Sequence, residues 1–120
     1  MSLEQFIEKI TQGEPVSFDE TLTIITAYYH YQPTEFSNGL NDDILINQAG
    51  TNEGSCKVFA FAKLHQLNQQ QTLSLFGDYY RLDVLPNPHG TGHQNIRNFM
   101  GHGWEGIQFK GEALTSKSIS

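Results

Sequence analysis

The stretch Glu53-Gly54-Ser55-Cys56-Lys57-Val58-Phe59-Ala60-Phe61-Ala62-Lys63-Leu64-His65-Gln66-Leu67 decides how this chain folds. Cys56, Ala60, Leu64 and Leu67 form one apolar stripe at helical spacing, and Val58, Phe61 and Ala62 form a second. A surface helix shows one such stripe, whereas a helix that is apolar almost all round is enclosed by protein. Lys57, Lys63 and His65 are the outward positions, where long or polar side chains reach water. The run is too short, and too interrupted by lysine, for the ~20 apolar residues that cross a bilayer. The reading is a central helix over 53–67, with each large buried side chain contributing roughly 1.5–3 kcal/mol.

The neighbours must enclose that helix, and the sequence supplies them. Ser2 with Gln5, and Ser17 with Glu20, have capping-box spacing. They predict helices over 2–12 and 18–29, separated by Gly13 and Pro15. In the second, Phe18, Leu22, Ile25 and Tyr29 make the apolar stripe. Asn68 with Gln71 opens a fourth helix, which Leu85-Pro86 ends. A short helix over 93–100 follows the Pro/Gly-rich loop 86–92, with Gly101 as its stop. Pro33, the Asn38-Gly39 turn and the run Ile44-Leu45-Ile46 predict short extended segments over 30–37 and 44–47, joined by 107–114 into one small, mostly antiparallel sheet. The Ser-rich tail 115–120 reads as frayed. The expectation is a single α+β domain spanning 1–120, its core within 2–114, with four to five helices around the central one.

Composition narrows the function classes. The 120 residues carry a net charge of −6, which argues against a nucleic-acid partner. Residues 1–55 hold nine acids against one base, and residues 56–120 hold six bases against four acids. No run of like charges accompanies this asymmetry, so it reads as a solvated acidic face. One cysteine excludes an intrachain disulfide framework and suits a reducing compartment. No signal peptide or membrane span is evident.

Three groups of residues are candidates for chemistry. Cys56 lies near a helix start beside Lys57, a setting that lowers a thiol pKa, and His93 with Asn95 is the nearest base and orienting group. The alternative is a small buried hydrophobe on an apolar helix. His89, His93 and His102, with Glu53, are the only metal-ligand grouping, but glycines interrupt their spacing, so no metal is assigned. Gly90-Thr91-Gly92-His93 with Arg97 has the makings of an anion site, or of a tight loop. Trp104 and the tyrosines at 28, 29, 31, 79 and 80 read either as a recognition patch or as core edges. Polar side chains cluster in the loops at 50–56 and 87–95, so these loops should adjoin and hold any site. The expected ligand-binding residues are Asn52, Glu53, Ser55, Lys57, His93, Gln94, Asn95 and Arg97.

The runs Asn52-Glu53-Gly54-Ser55-Cys56-Lys57, Phe59-Ala60-Phe61, Phe76-Gly77, Tyr79-Tyr80-Arg81, Asp83-Val84-Leu85, Asn87-Pro88, His93 to Met100, Gly103-Trp104 and Gly106-Ile107 resemble the HopJ type III effector family over about 17–114. The resemblance implies a small bacterial α+β domain and carries no reaction, cofactor or catalytic residue. The capped start at 2–12 departs from the flexible, Ser-rich beginning of a type III export signal. The bacterial cytoplasm is therefore the expected location, with delivery into a host cell implied by family analogy alone. The leading expectation is a binding domain for an unknown protein or small-molecule partner, involving neither nucleic acid nor membrane. The alternative is a Cys/His enzyme, or a metal- or anion-binding protein, built on the Asn52–Lys57 and His89–Arg97 loops. No cofactor is identified.

Overall fold

Phe59 and Phe61, two residues apart on one helix, serve two halves of the core. In the computed structural model, which describes residues 1–117, the helix α3 spans Glu53–Leu64 and buries Cys56 and everything from Val58 to Ala62. The Phe59 ring meets Phe36, Phe76, Phe99 and Trp104, with centroids 5.0–6.5 Å apart. The Phe61 ring meets Phe6 and Tyr29 edge-on at 6.0 and 5.9 Å. Such aromatic pairs add about 0.5–1.5 kcal/mol each beyond area burial. The central enclosed helix therefore stands. It ends earlier than the expected Leu67, because Gln66 turns left-handed (φ 54°) and the Leu67 amide donates back to Ala62 O at 3.0 Å. Leu64, the last residue of α3, is 54% exposed, against its expected place on the inward stripe.

The first two helices form as their caps dictate. α1 (Leu3–Thr11) and α2 (Phe18–Tyr28) both open on complete capping boxes, Ser2/Gln5 and Ser17/Glu20. In α2 the buried face is Thr21, Ile24 and Ile25, while Phe18 and Leu22 are half-buried. That face is rotated from the expected stripe because Thr21 Oγ1 donates to Leu75 O at 2.9 Å, docking α2 on the fourth helix. The fourth helix is not continuous. α4 (Gln69–Ser74), capped by Asn68, stops at a turn through Gly77, and the chain resumes as a π-helical segment, Tyr79–Val84. Gly77 has φ +62°, and a Cβ there would lie 2.6 Å from the Phe18 amide nitrogen, so only glycine fits where this turn meets the start of α2. α5 (Gln94–His102) runs through Gly101 and ends at Gly103 (φ +63°).

The strands form two antiparallel sheets instead of one. β1 (Tyr29–Tyr31) pairs with β5 (Leu114–Ser116), with Tyr29 opposite Ser116 and Tyr31 opposite Leu114. β2 (Phe36–Asn38) lies between β3 (Leu45–Asn47) and β4 (Gln108–Phe109). The division falls at Pro33, which lacks the amide a continuous ladder needs. Thr115 and Ser116 are in a strand, not frayed, and positions 118–120 lie outside the described residues. The α+β class is as expected. No described helix is long and apolar enough to cross a membrane.

Candidate functional site

The starts of α3 and α5 meet through asparagines. Asn47, at the end of β3, is buried, and its Oδ1 accepts from Asn52 Nδ2 at 2.6 Å and from Asn95 Nδ2 at 2.9 Å. Asn47 Nδ2 donates to Asn95 Oδ1 at 3.1 Å, and fully buried Asn38 donates to the same oxygen at 3.0 Å and to Asn95 O at 2.8 Å. Asn98 Nδ2 closes the group on Asn38 O and Asp43 O. Side-chain amides carry both donors and acceptors, so asparagines are suited to such a reciprocal network. Both helices leave this junction from a left-handed residue, Asn52 (φ 50°) and His93 (φ 56°), neither of which caps its helix through its side chain.

The junction brings together Asn52 and Asn95 as structural members. Glu53, His93 and Gln94 are exposed around it, and Ser55 and Lys57 are half-buried. Lys57 Nζ sits 4.7 Å from the centroid of the Tyr31 ring. The Tyr31 hydroxyl is buried near Cys56 and Glu53, and burial, reinforced by those two neighbours, raises its pKa well above the ordinary phenol value. Gln94 Nε2 donates to Asn98 Oδ1 at 2.9 Å.

The nucleophile arrangement is not assembled. Cys56 is 1% exposed, and its thiol donates to Thr34 O at 3.8 Å. Its amide already donates to Asn52 O, so it lies beyond the free amides of the helix start that were expected to depress its pKa. Burial instead raises the thiol pKa, outweighing the nearby Tyr31, Thr34 and Lys57. His93 packs on Tyr79 at 5.0 Å and bonds Asp83 at 3.1 Å, and Asn95 is committed to the buried network. Arg97 is equally committed: Nε donates to Gly92 O and Nη1 to Asn87 O, both at 2.6 Å. It staples the 87–92 loop where an anion clamp was expected. His102 bonds Asp43, and among the described residues no three His, Cys, Asp or Glu side chains converge as a metal site would require.

A second surface was not foreseen. Leu64 and Ala60 of α3, Phe109 of β4 and residues 113–116 line a groove of about 520 Å³, within the range of ligand-binding clefts. Lys63 stands at its side, Nζ 5.7 Å from the Phe109 ring centroid, and pairs with no carboxylate among the described residues. Glu112 is the one acid in the lining. The sequence signal is faint, because Ala60 and Leu64 both have core periodicity.

The comparisons agree with this architecture. No curated protein matches the chain. A crystal structure of a protein of unknown function, VPA0580, superposes with a TM-score of 0.91 at 46% sequence identity, covering 98% of this chain and 95% of that one. The family model of the HopJ type III effector protein matches residues 3–114. The chain belongs to the HopJ type III effector protein family.

Proposed function

We propose that this HopJ-family chain acts as a binding domain and takes an apolar ligand in the groove between α3 and β5. The observation that carries the reading is Leu64. A large aliphatic side chain, 54% exposed, forms the wall of a cleft whose floor is Ala60, Phe109, Ala113 and Leu114. Apolar clefts with a few placed polar groups are the usual form of a ligand site. The committed partners of Cys56 and His93 favour binding over thiol catalysis. The net charge of −6 favours a partner other than nucleic acid, and the buried free thiol suits the bacterial cytoplasm.

Titration with anilinonaphthalene sulfonate, followed by fluorescence and by amide chemical shifts, tests this. Shifts should concentrate at Lys63, Leu64, Phe109 and Leu114, and Leu64→Lys should remove them without changing the fold. Shifts elsewhere, or binding unaffected by Leu64→Lys, refute it.

A polar surface is favoured as a second contact region by one observation, the Asn47 oxygen shared by Asn52 and Asn95. It holds the starts of α3 and α5 together, so Glu53, Ser55, Lys57, His93 and Gln94 are presented on a fixed frame, while Asn52, Asn95 and Arg97 position it. Titration with inorganic phosphate separates the two surfaces. Shifts at Lys57 and His93 that Lys57→Ala abolishes support the polar region, and their absence refutes it for anions.

A further inference from the structure

We propose that Asn38 is a modification site. Its side-chain amide is lost by cyclisation onto the Gly39 nitrogen when the chain unfolds, and the product cannot rebuild the junction between α3 and α5. Three observations support it.

The first is the sequence step. Asn38-Gly39 is the one Asn-Gly pair in the chain, and each of the other seven asparagines precedes a residue with a side chain. In such a pair the Gly39 nitrogen attacks Asn38 Cγ, and glycine puts no Cβ in the way. A bond from nitrogen to Cγ forms and the Cγ–Nδ2 bond breaks. Nδ2 departs as ammonia, taking the proton of the Gly39 N–H. Water then opens the cyclic imide at either carbonyl. The products are aspartate, or isoaspartate with its main chain rerouted through Cβ and Cγ. Water is the one co-reactant.

The second is the lock that the fold places on this step. Gly39 N–H donates to Gly106 O at 3.0 Å. Asn38 Nδ2 donates to Asn95 O at 2.8 Å and to Asn95 Oδ1 at 3.0 Å. Asn98 Nδ2 donates to Asn38 O at 3.1 Å and so fixes the peptide between the two residues. Asn38 is fully buried and Gly39 is buried beside it, which keeps water from the imide. The unfolded chain has none of these restraints, so unfolding releases the reaction.

The third is what the product would meet on refolding. Asn38 Oδ1 is buried and has no hydrogen-bond partner among the described residues. Aspartate would replace Nδ2, the donor of this side chain, with a second oxygen facing Asn95 O and Asn95 Oδ1. A carboxylate buried among acceptors is strongly destabilising. Isoaspartate also adds a main-chain atom at the position that pairs with Leu45, which disturbs the register of β2 on β3. Both products lose the link from β2 to Asn95. A molecule that stays unfolded is thereby retired, while folded copies keep their amide.

Incubation of the full chain at one mildly alkaline pH, in buffer and in guanidinium chloride, tests the proposal. Conversion is followed by released ammonia and by peptide mass mapping. It should occur first at Asn38, and about a hundredfold or more faster in guanidinium, since the folded state opens rarely. Asn38→Gln, whose longer side chain closes a larger ring, should suppress the ammonia in guanidinium, a comparison that needs no folded protein. Chains withdrawn at intervals are then diluted into buffer. The fraction that regains the native melt should fall in step with loss of the Asn38 amide. Comparable rates in the two solvents, earlier loss at another asparagine, unchanged ammonia from Asn38→Gln, or deamidated chains that refold with the wild-type Tm would each overturn it.

Discussion

The Tyr29 hydroxyl lies 2.6 Å from Nε2 of His65, tying the first residue of β1 to the C-cap of α3. Burial holds this imidazole's pKa below its ordinary 6.5, because the charged ring loses hydration. The unfolded chain binds that proton more readily, so acid favours unfolding. The stabilisation is complete above the unfolded pKa, declines as pH falls through it, and levels off once the folded ring is protonated too. Glu20 is lowered chiefly by the Ser17 amide, and its contribution is lost only as pH falls below its ordinary 4.5. Tm should therefore drop between about pH 7 and about pH 5. Melts of the wild type and His65→Gln over that range check it: the variant should show the shallower dependence, and parallel curves would contradict the assignment.

The asparagine junction should be costly to break. Asn95→Leu removes the oxygen that accepts from both Asn38 and Asn47, and leaves two buried amides without that acceptor. Unsatisfied buried donors cost about 1–3 kcal/mol each, so a loss of about 2–4 kcal/mol is expected in urea unfolding. The exposed Gln94→Leu should change stability by less than about 0.5 kcal/mol. A junction that tolerates Asn95→Leu equally well is not what joins α3 to α5.

Two glycines should respond in opposite directions. Gly77→Ala places a methyl group against the Phe18 amide at φ +62°, and should destabilise by about 1–3 kcal/mol or more. Gly101 lies within α5 with open space where a Cβ would stand, so Gly101→Ala should stabilise by about 0.5–1 kcal/mol. Thermal denaturation of the two variants reads the difference directly.

Cys56 should behave as a core residue. Its alkylation by iodoacetamide in the folded protein should be far slower than in urea, since the thiol is buried and its pKa raised. Cys56→Ser should lose roughly 1–3 kcal/mol, because a hydroxyl in that position needs a full hydrogen bond where the thiol has a long one to Thr34 O. Rapid native labelling would show the thiol is accessible after all.

What could be read from the residues was whatever neighbouring positions decide among themselves. Ser2/Gln5, Ser17/Glu20 and Asn68/Gln71 form the boxes their spacing implies, and the apolar run around Phe59 is enclosed as its composition requires. Features set by distant contacts were not legible. The break at Gly77 depends on the backbone of residues 17 and 18, and the rotation of α2 depends on Leu75. The polar loops at 50–56 and 87–95 do meet, at Asn52 and Asn95, but through Asn47, which the strand pattern hides as one more residue after Ile46. Cys56 and Arg97 carry functional-looking signatures, yet each is absorbed by nearby carbonyl oxygens. The groove escaped notice because Leu64 keeps core spacing on α3, and its exposure depends on which distant residues pack beside it.

The pairing of Tyr29 with Ser116 has a kinetic corollary. The two partners are separated by most of the polypeptide, so this ladder is among the most remote contacts of the described residues, and remote contacts slow folding because a long loop must close first. On the ribosome, helices from the earlier part of the sequence can gather around their shared core while synthesis continues. The strand β5 can dock only after that core exists, so the wall it adds to the groove is among the last parts of the molecule to order.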